Sequence, residues 1–387
     1  MQENASVSVR LNPFKSAGVH LPILEGATPV PWNGFGYILS GRPVFTLHPL
    51  FHAGVYYVQD SSAMYVGHVL RRNLSSLDGG KKGLRVLDLC AAPGGKTTDI
   101  AASLRQECGD DFLLVSNEVM KDRVRVLDDN VARWGDPNVV VTSVDPAAFA
   151  SLPGFFDVIV ADVPCSGEGM FRKDASAREQ WSPAVVDLCA ARQKRILADV
   201  WPSLREGGLL IYSTCTYEDA ENDSNLEWAA SSLGGEIVPP RDEFGAYGVR
   251  LTRCGYLLKV GEVPGEGQWV GALFKSSAQS RALSSDLSRL RPLRRGLVKG
   301  EKKGSDFVPC ADWALSIAYR RGTYPELELD KQTALRFLHR DALVLAGAAQ
   351  GYNVVTYKNV PLGFVKNIGN RCNNLHPKGR RILMDLQ

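Results

Sequence analysis

What this chain lacks removes several classes of function. It has no run of about 18 apolar residues, so no membrane span is expected. Its amino terminus shows no basic segment followed by an apolar core, so no secretion signal is expected. None of its eight cysteines sits in a C-x-x-C pair, which argues against a zinc ribbon or a thioredoxin-type centre. In 387 residues without a signal, such thiols fit a reduced, cytoplasmic protein better than a disulfide frame. G-x-G-x-x-G is missing, and with it the usual mark of a nicotinamide-dependent oxidoreductase. No internal repeat is found. His48 and His52 are spaced i, i+4, but Pro49 and Gly54 interrupt the helix and no third ligand is near, so no metal site is expected.

What is present begins with size and charge. A chain of this length, 44% hydrophobic, buries a full core and divides into two domains or more. The net charge of +3 conceals a division. Residues 1–275 carry 26 Lys+Arg against 33 Asp+Glu, whereas residues 276–303 carry 8 against 2. Residues 304–330 carry 2 against 5, and residues 331–387 carry 9 against 2. An acidic body with a basic connector and a basic tail suggests a polyanionic partner held mainly by the carboxyl-terminal part. A solvated surface of uneven charge is the bland alternative.

Residues 1–80 read as a small lead-in module, with Val7–Leu11 and Pro43–Leu47 alternating like strands and Ser61 placed to cap a helix over Ala63–Leu70. From Leu84 strands and helices alternate. Strands are predicted at Leu84–Leu89, Phe112–Glu118, Val139–Ser143, Asp157–Asp162 and Gly208–Ser213. Helices are predicted from Thr97, over Lys121–Trp134, Pro183–Leu204 and Ala220–Leu233. Gly255–Val260 and Trp269–Lys275 resemble a closing antiparallel pair. This alternation predicts an α/β fold, a doubly wound and mostly parallel sheet over residues 81–275. Residues 276–305 read as a basic linker. Residues 306–387 read as a small barrel-like α+β domain, with a helix over Lys331–Leu338, a hairpin of Tyr352–Tyr357 and Leu362–Lys366, and a closing strand at Ile382–Leu386.

Two constellations carry the chemistry. In the first, Gly94-Gly95 permits a tight turn after the first strand of the sheet, where doubly wound sheets bind ligands. Glu118, Asp145 and Asp162 end or follow the next strands at that same edge, where acids accept hydrogen bonds from a nucleoside. In the second, Cys165 and Cys215 leave their strands in polar turns at that edge, whereas Cys108 and Cys189 read as packing residues. A thiolate beside a nucleoside cofactor suits one reaction well. Carbon 5 of a pyrimidine becomes nucleophilic once a thiolate adds at C6, and can then take an electrophilic methyl group. An acid near N3 stabilises the developing charge, and a base later removes the C5 proton. The chemistry alone leaves open which thiol attacks.

The stretches Asp88-Leu89-Cys90-Ala91-Ala92-Pro93-Gly94-Gly95-Lys96-Thr97, Asp162-Val163-Pro164-Cys165-Ser166-Gly167 and Ser213-Thr214-Cys215-Thr216 resemble the signature blocks of the Sun-type RNA (cytosine-C5)-methyltransferases. His48–Met64 resembles the segment before the first block. The resemblance implies a Rossmann-like methyltransferase sheet and S-adenosylmethionine, bound by Cys90, Ala91, Ala92, Pro93, Gly94, Gly95, Lys96, Glu118, Arg123, Asp145 and Asp162. It implies that Cys215 is the nucleophile and that Cys165 serves product release, as or beside the base, with Lys96 and Asp162 facing the cytosine. DNA cytosine methyltransferases use a Pro-Cys cysteine, so the assignment to Cys215 rests on the resemblance. Pro361–Asn367 and His376–Arg381 resemble, more loosely, the PUA-like RNA-binding domain of bacterial RsmF-type members. That implies small-subunit ribosomal RNA as partner, free or in an assembled subunit, with transfer RNA the alternative; a monomer is expected. The family usually carries a helical segment before the Val7–Pro13 region, and almost nothing precedes it here.

The target cytosine must be unpaired or flipped out, because a stacked base hides its C6. Phe171, Arg172, Lys173 and Tyr217 follow the catalytic turns and are candidates to hold the flanking backbone or stack on the base. The competing readings are a catalytically silent RNA-binding or ribosome-assembly factor, which the intact blocks disfavour, and the oxidoreductase already set aside.

Overall fold

In the computed structural model, residues 6–77, 80–168, 181–276, 286–304 and 306–386 are described. The amino-terminal module is a four-stranded sheet of β1 (Ser8–Leu11), β2 (Thr28–Pro29), β3 (Gly36–Ile38) and β4 (Tyr56–Val58), in the order β2-β3-β1-β4. Helix α1 (Pro49–His52) leads into β4, and α2 (Tyr65–Asn73) leads out of it toward the body. Pro43–Leu47 is no strand. Phe45–Leu47 forms a 3-10 turn that lays the Phe45 ring on Phe51 and Tyr56, with centroids 6.3 and 6.2 Å away. Ser61 does not cap a helix either. A 3-10 turn over Ser62–Met64 precedes α2, and the Ser61 hydroxyl donates to the Pro264 carbonyl.

The body holds five parallel strands, β5 (Leu84–Asp88), β6 (Phe112–Asn117), β7 (Val139–Thr142), β8 (Phe156–Asp162) and β9 (Leu204–Thr214). Their order is β9-β8-β5-β6-β7, so the topology reverses at β5 and its carboxyl end faces the crevice that such sheets use for ligands. Strand alternation sorts the core. Leu84 and Val86 pack on one face with Ile100 and Leu127, while Leu87 packs on the other with Phe149 and Leu197. Helices α3 (Gly95–Cys108) and α4 (Lys121–Trp134) cover the first face, and α5 (Pro183–Val200) and α6 (Asp223–Ala229) supply buried residues to the second. Four antiparallel strands extend the sheet beyond β9. They are β10 (Gly235–Ile237), β11 (Arg250–Leu251), β12 (Gly255–Leu258) and β13 (Gln268–Lys275). Among the described residues no helix is long and apolar enough to cross a membrane.

The described part of the basic connector, residues 286–304, folds onto the body at its start. Its β14 (Arg294–Arg295) pairs antiparallel with β7, and the Arg294 guanidinium bridges Asp128 and Asp312. A hairpin of β15 (Gly300–Lys303) and β16 (Asp306–Pro309) follows, then α7 (Ala311–Leu315). The last sheet is β17 (Glu326–Glu328), β18 (Gly351–Tyr357), β19 (Val360–Asn367) and β20 (Cys372–Asn374), with α8 (Lys331–His339) beside it. Ile382–Leu386 adds no strand. Ile382 is buried and its N–H donates to the Leu338 carbonyl, whereas Leu383 is exposed, so burial anchors one residue rather than every second one.

One guanidinium ties the first module to the body. Arg10 is 1% exposed. Its Nε donates to Gln59 Oε1 at 2.7 Å, and its Nη2 donates to Thr98 Oγ1 at 2.6 Å and to the Gly95 carbonyl at 3.2 Å. It also lies over the Trp134 ring, 4.6 Å from the centroid. The module meets the carboxyl-terminal sheet through a shared apolar cluster that includes Val9, Leu50, Tyr56, Phe337, Val355 and Leu362. Arg10→Met strands several buried acceptors, and is expected to lower the free energy of unfolding by about 3 kcal/mol. Urea unfolding measures it; a loss below about 1 kcal/mol contradicts this account of the joint.

Candidate active site

β8 and β9 end side by side, with Asp162 in register with Ser213. The turns that leave them are therefore neighbours. The first carries Cys165, the second Cys215, and the two sulfurs stand 3.1 Å apart. That is farther than a disulfide bond of about 2.05 Å, and fits one thiol donating to the other sulfur. The Cys215 N–H also reaches the Cys165 sulfur, at 3.3 Å. Glu168 stitches the turns together, its Oε2 accepting from Thr216 Oγ1 at 3.0 Å and from the Tyr217 N–H at 2.8 Å.

Asp162 gathers three donors. Lys96 Nζ lies 2.8 Å from Oδ2, while Ser213 Oγ and Gln268 Nε2 approach Oδ1 at 2.7 and 3.1 Å. The two thiols are driven apart in acidity. The hydrogen bond with Cys165 holds the Cys215 thiol below its ordinary pKa and the Lys96 cation adds to this, against burial and the Asp162 charge. The same bond raises Cys165, and burial and the Glu221 carboxylate push it the same way. Burial lowers the Lys96 ammonium, but the charge and hydrogen bond of Asp162, with Cys215 and Asp88 adding to them, together more than offset it, so the cation persists. Burial pushes the Cys90 thiol up, with Asp162, Asp88 and Glu118 adding to it. Cys90 is thereby left unreactive. Burial also pushes Asp88 up to about 7, against the hydrogen bond from Thr97.

A cavity of about 380 Å³ opens here. Its wall includes Cys90, Ala91, Ala92, Pro93, Gly95, Lys96, Asp162 and Cys215, with Tyr57, Gln59, Asp60 and Gln268 from outside the motifs. Cys165 stands behind Cys215 and is not part of that wall. Gly94 also sits behind it, at φ +110°, where a Cβ would press on Leu127. The Ala92–Pro93 peptide is cis, and the Pro93 carbonyl accepts from Asn130 Nδ2 at 2.6 Å and Tyr57 Oη at 3.2 Å.

The remaining residues named from sequence lie outside the wall. Glu118 is buried, takes the Met120 N–H on Oε1 at 2.9 Å, and lies 3.5 Å from Arg123, whose Nη2 donates to the Ala92 carbonyl at 2.7 Å. This pair supports the first turn from outside. Asp145 is exposed and caps a 3-10 turn by accepting the Ala147 N–H at 3.0 Å. Phe171, Arg172 and Lys173 lie outside the described residues. Tyr217 is engaged: its Oη accepts the Val260 N–H at 3.2 Å, and Gly267 packs so closely that a Cβ there would meet the ring. His48 bonds Tyr56 Oη at 2.6 Å and His52 the Thr46 carbonyl at 2.9 Å. Cys189 is buried and Cys108 half-buried. The sequence reading missed Ser213 as a partner of Asp162, although it was quoted within a motif, and Gln268, which no local pattern marks.

Comparison with known proteins gives three matching family profiles. Residues 77–232 match 16S rRNA methyltransferase RsmB/F, residues 324–382 the methyltransferase RsmF PUA domain, and residues 1–61 the N-terminal domain of 16S rRNA methyltransferase RsmF. The ribosomal RNA small subunit methyltransferase F of Klebsiella pneumoniae (strain 342) is 38% identical over 413 residues, spanning 91% of this chain and 84% of that protein. The protein of the same name from Escherichia coli O157:H7 is 34% identical over 284 residues, 70% of this chain and 57% of its own length. Other curated relatives are likewise matched over about half their length. Among solved structures, a methyltransferase homologue protein from Pyrococcus horikoshii superposes with a TM-score of 0.57 at 26% identity, covering 71% of this chain and 88% of that one. NSun6 from Pyrococcus horikoshii, solved with SFG, gives 0.55 at 18% identity over 70% of this chain and 91% of its own.

The electrostatics give a test. Lys96→Met removes the cation that favours the Cys215 thiolate, so the midpoint for alkylation of Cys215 by iodoacetamide is expected to move to higher pH and the rate near pH 7 to fall. Peptide-resolved mass spectrometry follows it. An unchanged midpoint contradicts the role given to Lys96.

Proposed function

This chain belongs to the RsmB/F family of 16S rRNA methyltransferases, which are RNA-methylating enzymes, and on that premise we propose that it makes 5-methylcytosine in small-subunit ribosomal RNA, in the cytoplasm, through a covalent cysteine–C6 adduct. The observation that carries the reading is the contact of two sulfurs, 3.1 Å apart, beside the Lys96–Asp162 pair. Two thiols with opposed acidities suit a reaction that needs one nucleophile and one proton carrier.

S-adenosylmethionine would supply a sulfonium methyl group here. The residues fit such a group. The first turn passes Gly94 in a left-handed conformation and lines the cavity with small side chains and backbone. A Cβ at Gly95 would come within 3.4 Å of Tyr57 and 3.5 Å of Gln59 and narrow the cleft. We assign its binding to Cys90–Lys96 and Asp162, with Glu118 and Asp145 after the outer strands and Arg123 in the first turn of α4.

Cys215, which lines the cavity and has the lower pKa, adds to C6 of the cytosine. Lys96 and Asp162 face the ring and meet the charge that develops on it. Cys165, in contact with the departing sulfur, serves product release beside the base that takes the C5 proton, its S–H donating to the Cys215 sulfur as the C6–S bond breaks. The base must arrive unpaired or flipped. Exposed Lys331, Arg371, Lys378 and Arg381 of the carboxyl-terminal part suit phosphate contacts, whereas Arg294 and Arg380 are spent on Asp128, Asp129 and Asp312.

Labelled S-adenosylmethionine and small-subunit ribosomal RNA, free or assembled, are expected to yield 5-methylcytosine. No product with any RNA, transfer RNA included, rejects the reading. Cys215→Ala is expected to abolish turnover. Cys165→Ala is expected to accumulate an RNA–protein adduct that survives denaturing electrophoresis; an adduct in Cys215→Ala instead reverses the two roles.

A further inference from the structure

We propose that Glu221 and Asn222 are positioning residues that hold Cys165 and Cys215 in contact and decide which of the two attacks. Neither belongs to the cavity wall; both are almost wholly buried, at 0% and 1% exposure. Glu221 brackets Cys165. Its Oε2 accepts the Ser166 N–H at 3.1 Å and Gln193 Nε2 at 2.7 Å, and that same amide donates to the Pro164 carbonyl at 2.9 Å. Asn222 brackets Cys215. Its Oδ1 accepts from Thr214 Oγ1 at 2.5 Å and its Nδ2 donates to the Thr216 carbonyl at 3.0 Å. The residues on both sides of each cysteine are thus pinned, Thr214 and Thr216 directly to Asn222, Ser166 directly to Glu221, and Pro164 to Glu221 through the Gln193 amide.

Consecutive residues cannot drift apart, so neither turn slides past the other without breaking one of these buried bonds. Asn225 Nδ2 fixes the Gln193 amide by donating to its Oε1 at 2.8 Å, and Tyr212 Oη donates to the Glu221 carbonyl at 2.6 Å, which keeps the Glu221 side rigid. Charge adds direction. A buried carboxylate stands on the Cys165 side of the sulfur pair and the Lys96 ammonium on the Cys215 side. The Glu221 charge favours the proton on Cys165, whose S–H then points to the Cys215 sulfur, while Lys96 counters part of the Asp162 charge beside Cys215.

The assignment rests on the two-thiol reading above, so its test includes a readout that needs neither methyl donor nor RNA. In the full-length protein near pH 7, iodoacetamide is expected to label Cys215 faster than Cys165 by roughly tenfold or more. Glu221→Ala and Asn222→Ala are each expected to bring that ratio down to about threefold or less, and to lower kcat roughly tenfold with little change in the KM for RNA. Glu221→Gln keeps one oxygen for both donors and is expected to restore most of kcat while the labelling ratio stays low, since the charge is gone. Should Glu221→Ala fail to fold, Glu221→Asp, which withdraws the carboxylate by one methylene, carries the same expectation. A labelling ratio and kcat within about twofold of wild type in folded variants overturn the assignment. A wild-type enzyme that transfers no methyl group rejects the functional reading instead.

Discussion

A thiolate held in a half-buried site must be stabilised by something other than water, and here that something begins with a second thiol. The constraint falls on the sheet. β8 and β9 must be adjacent, parallel and in register, so that the turns after Asp162 and Thr214 deliver two sulfurs to one place. A proton shared along the S–H···S contact outweighs the desolvation of Cys215, and Lys96 counters part of what the Asp162 charge adds. Lys96 would itself be destabilised by burial without Asp162, and Asp162 in turn takes hydrogen bonds from Ser213 and Gln268. Each charge is tolerable because the next one is present.

The outer parts of the molecule converge on this chain of charges. Gln268 comes from the first antiparallel strand beyond β9, and the loop before it is fastened by Tyr217 and by Ser61 of the amino-terminal region. Arg10 reaches from the first module to the start of α3, the helix that carries Lys96. The first module in turn shares an apolar cluster with the carboxyl-terminal sheet. The terminal modules are therefore mechanically continuous with the cavity.

The legible parts of the fold were those governed by short-range pattern. Lys121–Trp134 has apolar residues at helical spacing and a glycine after it, and the helix has those limits. Strand ends expected at Leu89, Asp162 and Ser213, where apolar runs meet polar turns, fall within one residue of the observed ends at Asp88, Asp162 and Thr214, so the edge that bears both cysteines was legible. What depends on distant partners was not legible. Pro43–Leu47 alternates like a strand, but aromatic packing on Phe51 and Tyr56 turns it into a 3-10 segment. Arg294–Arg295 looks like solvated linker, yet an open sheet edge and two acids fold it onto the body. Ile382–Leu386 has strand-like composition with no strand to pair with. Glu221 and Asn222 follow the Cys215 turn as ordinary helix-entry residues; Asn222 folds back on that turn, and Glu221 gains its role from the turn after the neighbouring strand.

The central claim is that Cys215, with Cys165 behind it, forms the bond to the base. The most direct measurement uses RNA carrying 5-fluorocytidine, whose C5 fluorine cannot be removed as a proton is. After incubation with S-adenosylmethionine, the account predicts a stable complex in which peptide mapping finds the nucleotide on Cys215. A nucleotide mapped to Cys165, or methylation-competent enzyme that forms no covalent complex, would contradict it.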